Sequence, residues 1–233
     1  MFEELRGRVV AANLALVDAG LVVLTFGNAS AADREAGVMA IKPSGVAYDL
    51  LRPDDVPVVD LATGAVVSGK QRPSSDSPTH LALYRAFTEV GGVVHTHSPF
   101  ATAWAQAQRE LPCLGTTHAD HFRGPVPVTR QLTAAEIEGD YEERTGAVIV
   151  ETFAERGLDA VELPAALVAS HGPFVWGAVV EDAVENAVAL EAVAASAYRA
   201  LQLAAAVEGI PPALLEKHFS RKHGAAAYYG QPT

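Results

Sequence analysis

A chain of 233 residues, 49% hydrophobic and 19% charged, is long enough to bury a substantial core and reads as a single globular domain. Its 17 lysines and arginines stand against 28 aspartates and glutamates, a net charge of −11 with no basic run, which excludes a binder of nucleic-acid phosphates. The lone Cys113 excludes a disulfide framework. An acidic amphipathic N-terminus and apolar stretches broken by charge argue against a signal peptide or membrane span, so a cytoplasmic protein is expected.

Apolar positions at helical spacing over residues 2–18, stopped at Gly20, predict a first helix. Two strand-like runs follow in "LVVLTFGNASAADREAGVMAIKPSG", joined as a hairpin at "REAG". A second hairpin pairs "VPVVDL" with "AVVSG" across "ATG". After the loop "RPSSDSP", Thr79 is the expected N-cap of a helix reaching about Phe87. "GGVVHTHS" reads as a short β-branched strand ending in two histidines, and "FATAWAQAQ" resumes helical spacing. A polar loop containing "GTTHADHF" precedes a helix near Thr133, where Thr133 and Glu136 have the spacing of a capping box. A strand at 166–169 runs into "SHGPFVWG", and a long helix covers about 181–206. A short helix from 211 and the tail "RKHGAAAYYGQPT" complete the chain. Strands arrive as hairpins first and alternate with helices later. An α/β fold follows, with one mixed, mostly antiparallel central sheet flanked by helices.

Side chains alternate along a strand, so His95 and His97 point the same way, about 6–7 Å apart. A lone histidine is more often a satisfied core residue. Two on one face, with His171 following another apolar strand, instead suit one divalent metal, because neutral imidazole is a ligand for zinc and similar ions. A carboxylate often completes such a set, and Asp76, in the loop before a helix, is the candidate; turn chemistry explains it equally well. The loops "FGNAS", "KPSG" and "PSSDS" offer hydroxyls, amides and backbone N–H groups without bulk. Any one of them is an ordinary turn, whereas three together suggest a phosphate cradle. There is no P-loop and no G-x-G-x-x-G, so nucleotide readings lose support. Asp120, flanked by His118 and His121, is a weaker catalytic candidate, and paired tyrosines at 228–229 ordinarily mark a frayed end.

Taken in order, "LTFGNAS", "IKPSGVAY", "RPSSDSPTH", "GGVVHTHS", "GTTHAD", "IVETF", "SHGPFVWG" and "RKHGAAAYYGQ" resemble the class II aldolase and epimerase family of zinc enzymes, on its epimerase side. The resemblance runs from about residue 2 to Gln231. It implies the family's three-layer fold and one zinc ion per subunit on His95, His97, His171 and, by the epimerase pattern, Asp76. It implies a phosphate site at Gly27, Asn28, Ser44, Gly45, Ser74 and Ser75, which Lys42 would assist. Asp120 and Tyr229 would be the acid/base pair. Tyr229, on a tail from 218 to 233, would enter a neighbouring subunit's site in a tetramer. The implied reaction interconverts L-ribulose 5-phosphate and D-xylulose 5-phosphate. A related aldolase acting on fuculose or rhamnulose phosphate is the nearest rival, with a glutamate where this chain has Asp76. Family relatives that use the fold for assembly, without metal, are a second. The departures, such as Phe26 and Ala29, fall on flanking positions.

Overall fold

The computed structural model describes residues 2–204, 206–224, 227 and 228. Helix α1 (Glu3–Asp18) is followed by β1 (Asn28–Asp33) and β2 (Val38–Ile41), then by β3 (Val58–Asp60) and β4 (Val66–Ser68). Next come α2 (Ser77–Ala86), β5 (Gly92–His95), α3 (Pro99–Gln106), α4 (Thr116–His121), α5 (Ala134–Glu138) and α6 (Tyr141–Arg156). A last hairpin, β6 (Ala165–Leu167) and β7 (Pro173–Gly177), leads to α7 (Val180–Leu203) and α8 (Pro212–His223).

The strands form one seven-stranded sheet in the order β4-β3-β2-β1-β5-β7-β6, and every neighbouring pair is antiparallel. Alternation along β1 explains the layering. Ala29 faces α1, where the buried Asn13 side chain binds both the N–H and the C=O of Ala29. Asn28 and Ser30 face the other way, toward α2, and meet Asp76, His80 and Tyr84. Those three residues are spaced i, i+4, i+8, so one helical face lays a polar seam along β1. His95 lies opposite Asn28 on one side and Phe174 on the other. Its ring stacks on Phe174 at 4.2 Å. On the same face, Trp176 packs against Phe87 and Phe153. Helices α1 and α7 thus cover one face of the sheet, while α2 and α6 cover the other.

Several sequence expectations are corrected. Residues 21–27 form a loop, not the start of a strand: Leu24 has φ 57° and is 76% exposed. Helix α2 starts at Ser77, with Pro78 in its first turn, so its N-cap is Asp76 and Thr79 lies inside it. "GTTHADH" is helical, and the helix expected near Thr133 is two, α5 and α6. The capping box at Thr133 and Glu136 is present. "PFVWG" forms β7, a strand absent from the sequence reading, because proline is tolerated at a strand's first residue.

Candidate active site

One end of the central strands gathers most of the candidate residues. His95 closes β5, His97 lies just beyond it, and His171 sits in the five-residue connection between β6 and β7. That connection is tight. Val168 N–H donates to Gly172 C=O, His171 N–H to Val168 C=O, and Ser170 takes a left-handed φ of 62°. The three imidazoles turn inward with centroids 4.7–5.1 Å apart. His95 Nε2 and His97 Nε2 are 3.1 Å apart.

His95 Nδ1 lies 2.9 Å from the Pro173 carbonyl. A carbonyl only accepts, so Nδ1 carries the proton and the Nε2 lone pair faces the cluster. Burial lowers the pKa of all three histidines, which keeps them neutral. One nitrogen from each lies within 4.8 Å of the others. Three neutral imidazoles converging on one point, with the His95 Nε2 lone pair aimed into the cluster, make a good metal seat. Asp76 lines the same cavity but stands outside the three-histidine cluster. Its Oδ2 accepts from Asn28 Nδ2 at 2.6 Å. Burial opposes its ionisation, while the hydrogen bond from the Asn28 amide favours its charged form.

The phosphate candidates form the adjoining wall. Gly27, Asn28, Lys42, Ser44, Gly45, Ser74, Ser75, Asp76 and the three histidines line one cavity of about 370 Å³. Backbone hydrogen bonds tie its segments together, Ser44 N–H to Arg72 C=O and Ser74 N–H to Lys42 C=O. Gly27 has φ 78°, and a Cβ there would lie 2.7 Å from the carbonyl oxygen of His95. The phosphate loop therefore rests directly on the histidine strand. Lys42 is 2% exposed, and among the described residues no carboxylate pairs with it. Desolvation lowers its pKa. A buried ammonium facing a cavity of hydroxyls and amides matches an anion.

Asp120 is elsewhere. It does not line this cavity. It sits on α4, where Arg221 of α8 grips it with two bonds, 2.9 and 2.7 Å, and His218 Nδ1 lies 3.0 Å away. Burial disfavours its charge, but Arg221 and His218 outweigh this and hold the carboxyl below its ordinary value. Tyr229 lies outside the described residues. Sequence reasoning missed His80 and Tyr84 in the polar seam, His218 and Arg221 beside Asp120, and Tyr141, whose hydroxyl is 3.5 Å from His171 Nδ1. The spacing of Asp76, His80 and Tyr84 on one helix was the available signal. A second cavity, about 450 Å³, opens at the other end of β5 and β7, but its Lys222 is already paired with Glu185.

Residues 7–198 match the family described as Class II Aldolase and Adducin N-terminal domain. The chain is 52% identical over 229 residues to the L-ribulose-5-phosphate 4-epimerase UlaF of Salmonella paratyphi B, covering 98% of this chain and 99% of that protein. The Salmonella typhi protein of the same name matches equally. Among solved structures, an L-fuculose 1-phosphate aldolase superposes with TM-score 0.79 at 24% identity, over 94% of this chain and 95% of the aldolase. YgbL of Klebsiella pneumoniae, titled a putative aldolase/epimerase/decarboxylase, gives 0.74 at 23% identity, over 93% and 99%. At these identities the superpositions show a shared fold. No helix among the described residues is long and apolar enough to cross a membrane.

Proposed function

Since the chain belongs to the class II aldolase and adducin N-terminal domain family, we propose that it is a metal-dependent, cytoplasmic L-ribulose-5-phosphate 4-epimerase. The observation that carries the reading is one cavity with two seats: three converging neutral imidazoles, and a buried, carboxylate-free lysine among small-residue loops. The first suits a divalent ion, the second a phosphate. The full-length identity to named epimerases supports the choice of reaction, as does an aspartate rather than a glutamate at position 76.

The substrate dictates the chemistry. The carbonyl of L-ribulose 5-phosphate is at carbon 2, so it does not acidify the proton on carbon 4. Inversion there proceeds by breaking the bond between carbons 3 and 4. A base takes the proton of the carbon 4 hydroxyl as that bond's electron pair moves toward carbons 2 and 3, leaving dihydroxyacetone enediolate and glycolaldehyde phosphate. The aldehyde turns, carbon 3 re-adds to its opposite face, and an acid returns a proton to the new alkoxide. A zinc ion on His95, His97, His171 and Asp76 would supply Lewis-acid stabilisation of the developing negative charge, worth several kcal/mol.

The chain's own residues do the rest. Lys42, Asn28 and the 44–45 and 74–75 loops hold the phosphate while the two-carbon fragment rotates. Two faces of the aldehyde call for two proton-transfer groups, which we assign to Asp120 and Tyr229. Asp120 shares its helix pair with the segment leading to Tyr229 and is absent from its own chain's cavity, which supports both entering a neighbouring subunit's site together. The sequence reading gave only Tyr229 that role. A homotetramer follows as the proposed assembly, with the chain as one domain whose tail serves its neighbour.

Incubation of purified protein with L-ribulose 5-phosphate should form D-xylulose 5-phosphate, followed by coupled assay. Accumulation of free dihydroxyacetone and glycolaldehyde phosphate without the epimer would instead mark an aldolase. No turnover in zinc-loaded protein would refute both.

A further inference from the structure

We propose that Tyr48 is the positioning residue of the phosphate seat, holding its charged wall and its backbone wall in register. The inference rests on the reading of that cavity as a phosphate site. Tyr48 stands just after the 42–45 segment and is 6% exposed, with no place among the cavity's own lining residues. It touches both walls from behind.

Its hydroxyl lies 2.9 Å from the Phe26 carbonyl and 2.8 Å from the Gly27 carbonyl. One phenolic proton serves the two acceptors, bridging consecutive peptides of the "FGN" loop. A trans peptide carries its N–H opposite its C=O. Anchoring both carbonyls on Tyr48 therefore turns the amides of Gly27 and Asn28 away from it, in the segment that lines the cavity. The same phenol ring receives Lys42, whose Nζ is 4.6 Å from the ring centroid. A desolvated ammonium over an aromatic face gains attraction without being neutralised, so it keeps its full charge for an anion. An acidic residue in that place would hold Lys42 as firmly and cancel it.

The two contacts separate by substitution. Tyr48→Phe keeps the ring under Lys42 and removes the bridge to the loop. Tyr48→Leu removes both. In steady-state assays with L-ribulose 5-phosphate, and with inorganic phosphate as competitive inhibitor, we expect Tyr48→Phe to raise KM and the phosphate Ki together by about fivefold, with kcat within a factor of two. Tyr48→Leu should raise both by a further tenfold or so. Zinc content, by elemental analysis, should be unchanged in each. A purely structural tyrosine would lower kcat or the active fraction and leave KM and Ki where they were, and that result overturns the proposal. If the leucine variant fails to fold, Tyr48→Phe alone decides. If the wild type shows no turnover, the epimerase reading fails separately. Calorimetric binding of inorganic phosphate to wild type and Tyr48→Phe then still tests Tyr48, with equal affinities refuting its role.

Discussion

Substituting Gly27 by alanine loads the junction between the two seats. Two costs add. The backbone there sits at φ 78°, where a side chain costs about 1–2 kcal/mol. The new Cβ would also lie 2.7 Å from His95 O and 3.3 Å from Thr96 Cα, both backbone atoms that cannot swing aside. Overpacking of this kind costs about 1–3 kcal/mol. A total of about 2–5 kcal/mol corresponds to a Tm drop of about 4–20 °C in a chain of this size. Relief requires the end of β5 to retreat, and the retreating atoms belong to His95 and to the residue between the two histidines. Zinc affinity should therefore fall about tenfold or more along with stability. Gly20→Ala is the control, since Gly20 shares the left-handed backbone at φ 70° but faces open space. Denaturant midpoints and zinc competition against a chromophoric chelator give both readouts. If Gly27→Ala lost no more stability than Gly20→Ala and bound zinc as the wild type does, the direct seating of one loop on the other strand would be wrong.

His97→Asn should strip most bound zinc, which elemental analysis would show; full occupancy with full activity would contradict the three-histidine seat. Asp120→Asn should lose about a hundred- to ten-thousand-fold in kcat while retaining zinc, and a near wild-type rate would remove its proton-transfer role. Refolding His97→Asn chains together with Asp120→Asn chains should restore activity, because some sites would then combine intact histidines with a neighbour's intact Asp120; verified hybrids that stay inactive would place each site within one chain. The Asp120 carboxyl, held below its ordinary value of 3.8, contributes stability that is complete above about pH 4 and is lost as pH falls through its lower folded value. Pepsin should accordingly begin to cut α8 only below about pH 4, whereas Asp120→Asn protein should be cut at any pH at which pepsin works.

The parts of this structure legible in the sequence were those governed by short-range rules. The turn signals "REAG" and "ATG" marked the two hairpins, and Thr133 with Glu136 marked a helix start. The histidine cluster was legible for a similar reason: strand alternation aligns His95 with His97, and an apolar run ahead of His171 put it at a strand end. What escaped depended on distant partners. "VVLTFG" has a strand's composition, yet Val23, Leu24 and Phe26 are exposed, because a loop must leave β1 there to pass over His95. "TTHADH" has one turn's worth of helix signal and is fixed by α8, a hundred residues away in sequence. The absence of Asp120 from its own chain's cavity could not be read from spacing. Tyr48, the last residue of "IKPSGVAY", carries no sequence sign that its ring faces Lys42.

The alternation along β1 carries one more consequence. Asn28 and Ser30 serve the cavity side, while Ala29 and Ala31 serve the helix α1 side. A slip of one residue in the pairing of β1 with β5 would exchange these sets. Asn28 and Ser30 would then be driven into the apolar layer under α1, and alanines would face Asp76 and His80. A chain with β1 slipped by one residue therefore cannot keep an intact site. For this chain, specific activity per folded molecule should stay constant across preparations of different yield, since a strand out of register loses its core and its chemistry in the same step.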